Sequence, residues 1–406
     1  MQLLFLLTLI SIACATKCAH KRPVLMIHGI LSSQLMLEAD VPESYTLPGN
    51  CPHQLKGQIW VNKKDIYPFN DTQCFVAYMN TEWDGKKMEN VPGVKITYPN
   101  YPSTEGISSL GVEDQSVAYR VLRLFYKMIQ GLSTDGWVDN QDMFAPGYDW
   151  RYANRQRDDW IAKTKELVKS AVEKTKLKAV LVTHSYGGPM AMEFFDAVGK
   201  EFCDKYIDKI ITVASPFIGA TKALQTFLSG ETFGLPMDPS TLRKLARSWE
   251  GSIQLMPNAK YWENAVIAEV AGKKYTAQQV EEVLELVPEV KEYIKPMYEE
   301  CMDRYPMDHV PNNVPIHCLY SHGIDTVYSL KYDDLTKDFQ DGNFTYGDGD
   351  GTVDIQSLLW CAQPSFNATV VKDMGKVGHA DLIKDKSTIT YVRQQSCSAV
   401  ESDFVE

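Results

Sequence analysis

One segment constrains the fold more than any other: Lys178-Ala-Val-Leu-Val-Thr-His-Ser185-Tyr-Gly-Gly188. Ala179 to Val182 form an apolar run rich in β-branched side chains, the pattern of a short buried strand. Met190-Ala-Met-Glu-Phe-Phe-Asp-Ala-Val198 resumes beyond two glycines with helical spacing. A strand that enters a helix through a glycine-closed turn raises the residue at the turn, Ser185, out of the backbone. That is the build of a nucleophile elbow, with Thr183 where the G-x-S-x-G pattern has its first glycine. A serine before two glycines also describes an ordinary turn, so the assignment depends on partners elsewhere in the chain.

In α/β hydrolases the serine, the acid and the histidine come in that chain order. His379 is the only histidine beyond His322, and it sits in the glycine-flanked loop Gly375-Lys-Val-Gly-His379 after the apparent strand Ala368 to Lys372. Two aspartates compete for the third place. Asp350 lies in Tyr346-Gly-Asp-Gly-Asp-Gly-Thr-Val353, and Asp325 comes after the strand Ile316 to Ser321 in His322-Gly-Ile-Asp325. The glycine loop also has the look of a calcium loop, but it lacks the spaced later ligands that such a site needs.

The surrounding pattern is α/β. Ser116 to Ile129 and Asp158 to Lys176 have the spacing of amphipathic helices, and Asp208-Lys-Ile-Ile-Thr-Val-Ala214 reads as a further core strand. Strand and helix alternate as in a largely parallel sheet. From about Lys222 to Val314 the rhythm stops. Thr276-Ala-Gln-Gln279 has the form of a capping box before an apolar helix at Val280 to Val287, and Pro288, Pro296 and Pro306 punctuate the residues beyond that helix. This stretch is expected to be an inserted cap, with Thr226 to Arg247 as a lid over the site. No internal repeat interrupts the reading.

The ordered set of motifs resembles one family: lecithin:cholesterol acyltransferase and its relative, the lysosomal phospholipase A that also acts as a transacylase. The matching pieces are His28-Gly-Ile-Leu-Ser-Ser-Gln-Leu35, Ile59-Trp-Val-Asn62, Ala145-Pro-Gly-Tyr-Asp-Trp-Arg151, Thr183-His-Ser-Tyr-Gly187, Ser215-Pro-Phe-Ile-Gly219, His317-Cys-Leu-Tyr-Ser321, Gly347-Asp-Gly-Asp-Gly-Thr-Val353 and Gly378-His379. The resemblance implies an α/β-hydrolase fold with an inserted cap or lid and a disulfide-closed membrane-binding loop. It favours Asp350 over Asp325, because the family's acid is the second aspartate of that glycine loop. It also places one oxyanion N–H on Ile30, beside the one that the elbow itself expects on Tyr186. Cys51 is paired with Cys74 and Cys318 with Cys361 by the same resemblance, and Trp60, in the 51–74 loop, is placed in lipid contact. Asp149 and Arg151 match too, but read most simply as an internal ion pair. Three residues depart from the family's habit: Thr183, Tyr186 and Ile30. Ile30 stands where the lysosomal relative has an acidic residue, so an acid optimum is not carried over.

Leu3 to Ala15 is apolar, ends in Ala13-Cys-Ala15 and is too short to span a bilayer, so residues 1–15 are expected to be a removable signal peptide. The hydrolase core then occupies 16–221 and 315–406, with the cap at 222–314 between its two parts. Nine cysteines on an oxidising route imply disulfides, though nothing in the sequence assigns partners to Cys18, Cys203, Cys301 or Cys397. Sequons at Asn70, Asn343 and Asn367 fit exposed loops. A net charge of −11 without a basic run argues against nucleic acid and against strong attraction to anionic membranes. Contact with a phospholipid membrane or lipoprotein surface would therefore be mainly apolar.

The sequence thus leads to a secreted or lysosomal serine hydrolase or O-acyltransferase. It would cleave glycerophospholipid through a Ser185 acyl-enzyme and pass the acyl group to water or a lipid alcohol. No metal, nucleotide or organic cofactor is implied. A neutral-lipid lipase or an acyl-thioesterase would use the same three residues, and a non-catalytic lipid-binding member of the fold is the reading outside enzymes. Acyl acceptor, position on glycerol and oligomeric state are not encoded in any motif.

Overall fold

The computed structural model describes residues 18–61, 72–110, 122–153, 157–235, 237–262, 264–303, 307–333, 339 and 342–404. The expected leader at 1–15 and the sequon at Asn70 lie outside the described residues.

Six parallel strands form the central sheet, in the order Val370–Asp373, Ile316–Tyr320, Ile207–Val213, Ala179–His184, Val24–Ile27, Met143–Phe144. Val24–Ile27 and Ala179–His184 are buried along their whole length, as strands covered on both faces should be. Alternate side chains serve opposite faces. Leu25, Ile27, Leu181 and Ile210 pack with Val168 and Val172 of the helix Arg157–Thr175 and with Phe194 of the helix Gly187–Val198. Val24, Met26, Val180, Val182 and Ile211 pack on the other side with Met128, Leu132 and Val392. The fold is that of an α/β hydrolase.

The helix expected at Asp158 to Lys176 is found at Arg157–Thr175. Of the helix expected at Ser116 to Ile129, residues 116–121 lie outside the described residues; a helix is found at Tyr126–Thr134, where the apolar spacing continues through Met128 and Leu132. An antiparallel sheet of Gln54–Trp60, Leu35–Asp40 and Val94–Thr97 rises beside the core, and the disulfide Cys51–Cys74 links the segment before the strand Gln54–Trp60 to the helix Thr72–Met79. Trp60 belongs to the interior of this unit and not to a lipid-facing surface. It is fully buried, stacks near Phe75, meets Trp150 edge-on at 5.1 Å and donates its indole N–H to the Leu31 carbonyl at 3.0 Å. With its one donor satisfied inside, nothing draws the ring to the surface.

The cap extends beyond 222–314. Its strands Val266–Val270 and Lys273–Thr276 are completed by Thr326–Tyr332 and Gly342–Gly347 in a four-stranded sheet, so an excursion after the core strand Ile316–Tyr320 is part of it. The capping box at Thr276 and Gln279 is present, but it opens only a short turn and the helix Val280–Leu284. Asp149 and Arg151 are wholly buried and doubly hydrogen-bonded, and Arg151 also reaches the Met79 carbonyl and Asn90. The pair ties the helix Thr72–Met79 and the short strand Met88–Asn90 to the segment before the helix Arg157–Thr175.

A second disulfide, Cys18–Cys397, joins the two ends of the chain beside the strand pair His20–Lys21 and Cys397–Ser398. Cys318 and Cys361, expected as a bridge, are both free and buried. They are neighbours in an apolar setting: the Cys361 thiol donates to the Leu358 carbonyl at 3.6 Å, and burial, with Cys361 beside it, pushes the Cys318 thiol far up. Asn343 is exposed on the edge strand Gly342–Gly347 instead of in a loop, and Asn367 is exposed on a turn.

Candidate active site

Ser185, His379 and Asp350 meet at the C-terminal edge of the parallel sheet, where open α/β sheets place their ligands. Ser185 comes directly after the strand Ala179–His184 and has a φ of +54°, a conformation rare for a residue with a side chain. The turn is held by Ser185 N–H to Val213 O at 3.0 Å and Gly188 N–H to Ser185 O at 3.0 Å. Gly187 is required here, since a Cβ would lie 2.3 Å from the Ile27 carbonyl oxygen. The elbow expected from the sequence is therefore present, and Thr183 fits because it is a buried member of the strand itself.

His379 accepts the Ser185 hydroxyl through Nε2 at 3.0 Å and points Nδ1 at Asp350 Oδ2 at 2.7 Å. Hydrogen bonding to the carboxylate fixes the proton on Nδ1 and leaves Nε2 as the acceptor. Asp350 is buried, and its other oxygen accepts from the N–H groups of Thr352 at 3.0 Å and Val353 at 2.8 Å. The competition between the two aspartates has a simple spatial answer. After leaving the core at Ile316–Tyr320, the chain makes its cap excursion and returns to pair Asp350 with Ile324. The two acids thus reach the same end of the sheet, but Asp325 is exposed while Asp350 faces the imidazole. Asp348, the loop's other carboxylate, accepts from Gly323 N–H at 2.6 Å.

The turn after Val24–Ile27 packs against the serine so closely that a Cβ on Gly29 would stand 2.9 Å from Ser185 Cβ. Ile30 is next in the chain and lines the same cleft, and its backbone N–H makes no hydrogen bond among the described residues. Tyr186 is buried, and its phenol donates to the side-chain carbonyl of Gln254, whose amide donates to Glu193 at 2.6 Å. That contact with the cap helix Glu250–Gln254 explains why a tyrosine is accommodated after the serine.

Of the three other motif histidines, His184 and His28 are fully enclosed and have no role assigned by the sequence. His184 donates Nε2–H to the His379 carbonyl at 3.0 Å; burial, helped by the nearby His379, lowers its pKa to about 3 and keeps it neutral. His28 is enclosed, stacks on Tyr148 at 4.3 Å and bonds Gly29 O at 2.8 Å, with burial lowering its pKa to about 4.

The serine opens into a cleft of about 250 Å³ walled by Ile30, Leu31, Leu110, Leu124, Phe233 and Leu235. Phe233 and Leu235 come from the segment between the helices Thr221–Ser229 and Pro239–Ala246, where the lid is expected. An apolar recess lined by Leu242, Trp249 and Leu255 shares Ile30, Leu31 and Phe233 with the cleft. Lys222 and Glu231 also line the cleft; the Lys222 ammonium donates to Gly351 O at 2.9 Å and lies 3.8 Å from Glu231. Neither is singled out by the sequence, since no motif marks them.

Comparison with known proteins identifies the family. Residues 55–294 match the family described as lecithin:cholesterol acyltransferase. The chain is 27% identical over 350 residues to lecithin-cholesterol acyltransferase-like 1 of Arabidopsis thaliana, covering 81% of this chain and 77% of that one. It is 23% identical over 401 residues to the human lysosomal phospholipase A and acyltransferase, covering 97% and 95%. A chain of the Tle4–Tli4 complex has the same fold at a TM-score of 0.59 and 12% identity, over 93% of this chain and 99% of that one. By its matched length and its ordered site, the chain is an enzyme belonging to the lecithin:cholesterol acyltransferase family.

Proposed function

We propose that the chain is a secreted or lysosomal serine acyl hydrolase and O-acyltransferase that takes the acyl group of a glycerophospholipid. The observation that carries the reading is the hydrogen-bonded line Ser185–His379–Asp350 opening into an apolar-walled cleft. Apolar walls suit an acyl chain. The similarity over nearly the whole chain to the human lysosomal phospholipase A and acyltransferase favours a phospholipid over a triacylglycerol or a thioester.

In the reaction His379 takes the Ser185 proton as the hydroxyl attacks the ester carbonyl, while Asp350 orients the ring and stabilises the imidazolium. The tetrahedral oxyanion is received by the backbone N–H groups of Ile30 and Tyr186. His379 then protonates the departing lysophospholipid oxygen, leaving the acyl group on Ser185. Water or a lipid alcohol, deprotonated by the same histidine, completes the cycle. Hydrolysis and transfer differ only in the molecule that reaches the acyl-enzyme. The partner is a phospholipid membrane or lipoprotein surface; among the described residues no helix is long and apolar enough to cross a membrane.

The test is product analysis on phosphatidylcholine liposomes, with and without a sterol or ceramide acceptor, comparing wild type with Ser185→Ala. Release of lysophospholipid by wild type alone supports the reading, and the fate of the acyl group divides hydrolase from transacylase. Activity only on triacylglycerol or an acyl thioester would replace the substrate class. A wild type inert on all three would leave a lipid-binding protein.

A further inference from the structure

The loop that carries Asp350 contains a second buried carboxyl that the reaction above does not use. Asp350 to Val353 is a tight turn, closed by Asp350 N–H to Val353 O at 3.3 Å and clamped below by Ile355 N–H to Asp348 O at 3.0 Å. Asp354 sits at the neck, between the residue whose N–H holds the Asp350 carboxylate and the one that closes the clamp. Its side chain turns inward, is only 2% exposed, and accepts the N–H of Thr221 on Oδ2 at 3.1 Å. Oδ1 is buried with no hydrogen-bond partner among the described residues.

Thr221 begins the helix Thr221–Ser229, at the base of the lid segment. The first turn of that helix therefore grips the acid loop twice: Thr221 through the Asp354 side chain, and Lys222 through the Gly351 carbonyl. We infer that Asp354 is a positioning residue of the site, whose protonated carboxyl latches the Asp350 loop to the lid helix and whose ionisation releases it. The inference rests on the proposed role of Asp350.

The physical ground is the poverty of the surroundings. A neutral carboxyl with one N–H donor is tolerable in an apolar interior, whereas a carboxylate there needs two or three donors or a cation. The Lys222 ammonium is committed to Gly351 O and Glu231, and although the Thr221 hydroxyl, which donates to Tyr328 O at 3.2 Å, and the N–H of Asp354 itself also favour the charged form, burial outweighs them. The charge that bears on Asp354 is that of Asp350, which is of like sign; Asp348 in the same loop is turned to Gly323 and His322. Tyr328, on the adjoining strand, meets this junction through its backbone carbonyl. Burial, with Asp350 adding to it, accordingly pushes the Asp354 pKa up to about 7. Once ionised, the group can gain donors only if the neck opens to water. That withdraws the Val353 N–H from Asp350 and loosens the lid helix.

The rate at which a fluorophosphonate labels Ser185, monitored from pH 5 to 9, tests this without assuming a lipid substrate. Asp354→Asn stands in for the protonated acid and is expected to label like wild type at pH 5. Above neutrality wild type should fall behind it, by up to about tenfold for each pH unit as the protonated fraction declines. Asp354→Ala, which leaves the Thr221 N–H unanswered, should label roughly tenfold more slowly even at pH 5. Parallel profiles for wild type and Asp354→Asn would overturn the latch, as would an alanine variant equal to wild type at pH 5. A wild type that labels but releases no lysophospholipid would overturn the substrate reading and leave the latch standing. The melting temperature gives a second readout. A raised acid pKa means that the folded state binds the extra proton, so wild type should lose stability relative to Asp354→Asn as pH rises from about 4 to about 7. A constant difference would contradict the buried titration.

Discussion

The imidazole of His184 donates to the backbone carbonyl of His379 at 3.0 Å, so the residue before the candidate nucleophile holds the main chain of the residue that activates it. The rings lie 4.9 Å apart. Because His184 stays neutral far into acid, the bond is available across the working range of any such enzyme. His184→Ala removes one hydrogen bond, worth about 1 kcal/mol, and is expected to lower kcat about three- to tenfold with KM on phosphatidylcholine unchanged. Steady-state kinetics on mixed micelles would check it; a rise in KM alone would assign His184 to substrate binding.

The two candidate aspartates should separate cleanly. Asp350→Asn leaves the ring of His379 without its carboxylate and is expected to reduce kcat by about 10⁴-fold. Asp325→Asn, at an exposed position on the other side of the Ile324–Asp350 bridge, should behave as wild type. Parallel assays of the two variants decide the assignment.

This pair also shows how far a sequence can be read. Local periodicity is enough for the elbow, because an apolar β-branched run, two glycines and an amphipathic helix are all encoded within about twenty residues. Asp350 cannot be chosen by local pattern, since both acids come after the same core strand and only the long excursion and return of the chain decides which one faces His379. Trp60 is misplaced by its sequence for a related reason: an aromatic in a disulfide loop has the same local signature whether it faces lipid or, as here, Trp150 and the Leu31 carbonyl. Lys222 and Asp354 owe their places to tertiary approach alone. The cap's outline is blurred in the sequence because half of its sheet comes from residues 326–347, beyond a core strand.

Buried neutral histidine makes the fold sensitive to acid. His28 has a pKa near 4 in the folded chain against 6.5 for the free group, so the unfolded chain takes up the proton first as pH falls. Its contribution is fully present above about pH 6.5 and is lost as pH drops toward 4, by about 3 kcal/mol. Urea midpoints measured at pH 7, 5.5 and 4 should show this loss in wild type and a smaller slope in His28→Asn.

Arg151 is expected to be a stability residue and not a catalytic one. Its guanidinium is wholly buried against Asp149, so Arg151→Leu strands an uncompensated carboxylate and should cost about 3–5 kcal/mol in urea unfolding. Removing both charges in Asp149→Leu/Arg151→Leu should restore part of that loss. A single variant that unfolds like wild type would show the pair to be dispensable.

The central claim is that Ser185 carries the acyl group. Intact-protein and peptide mass spectrometry of enzyme quenched shortly after mixing with phosphatidylcholine measures this directly. The account predicts one fatty-acyl mass on the peptide bearing Ser185, absent from Ser185→Ala, with lysophospholipid released alongside. A Ser185→Ala protein that releases lysophospholipid at the wild-type rate, with no acyl mass on that peptide in either protein, would contradict it.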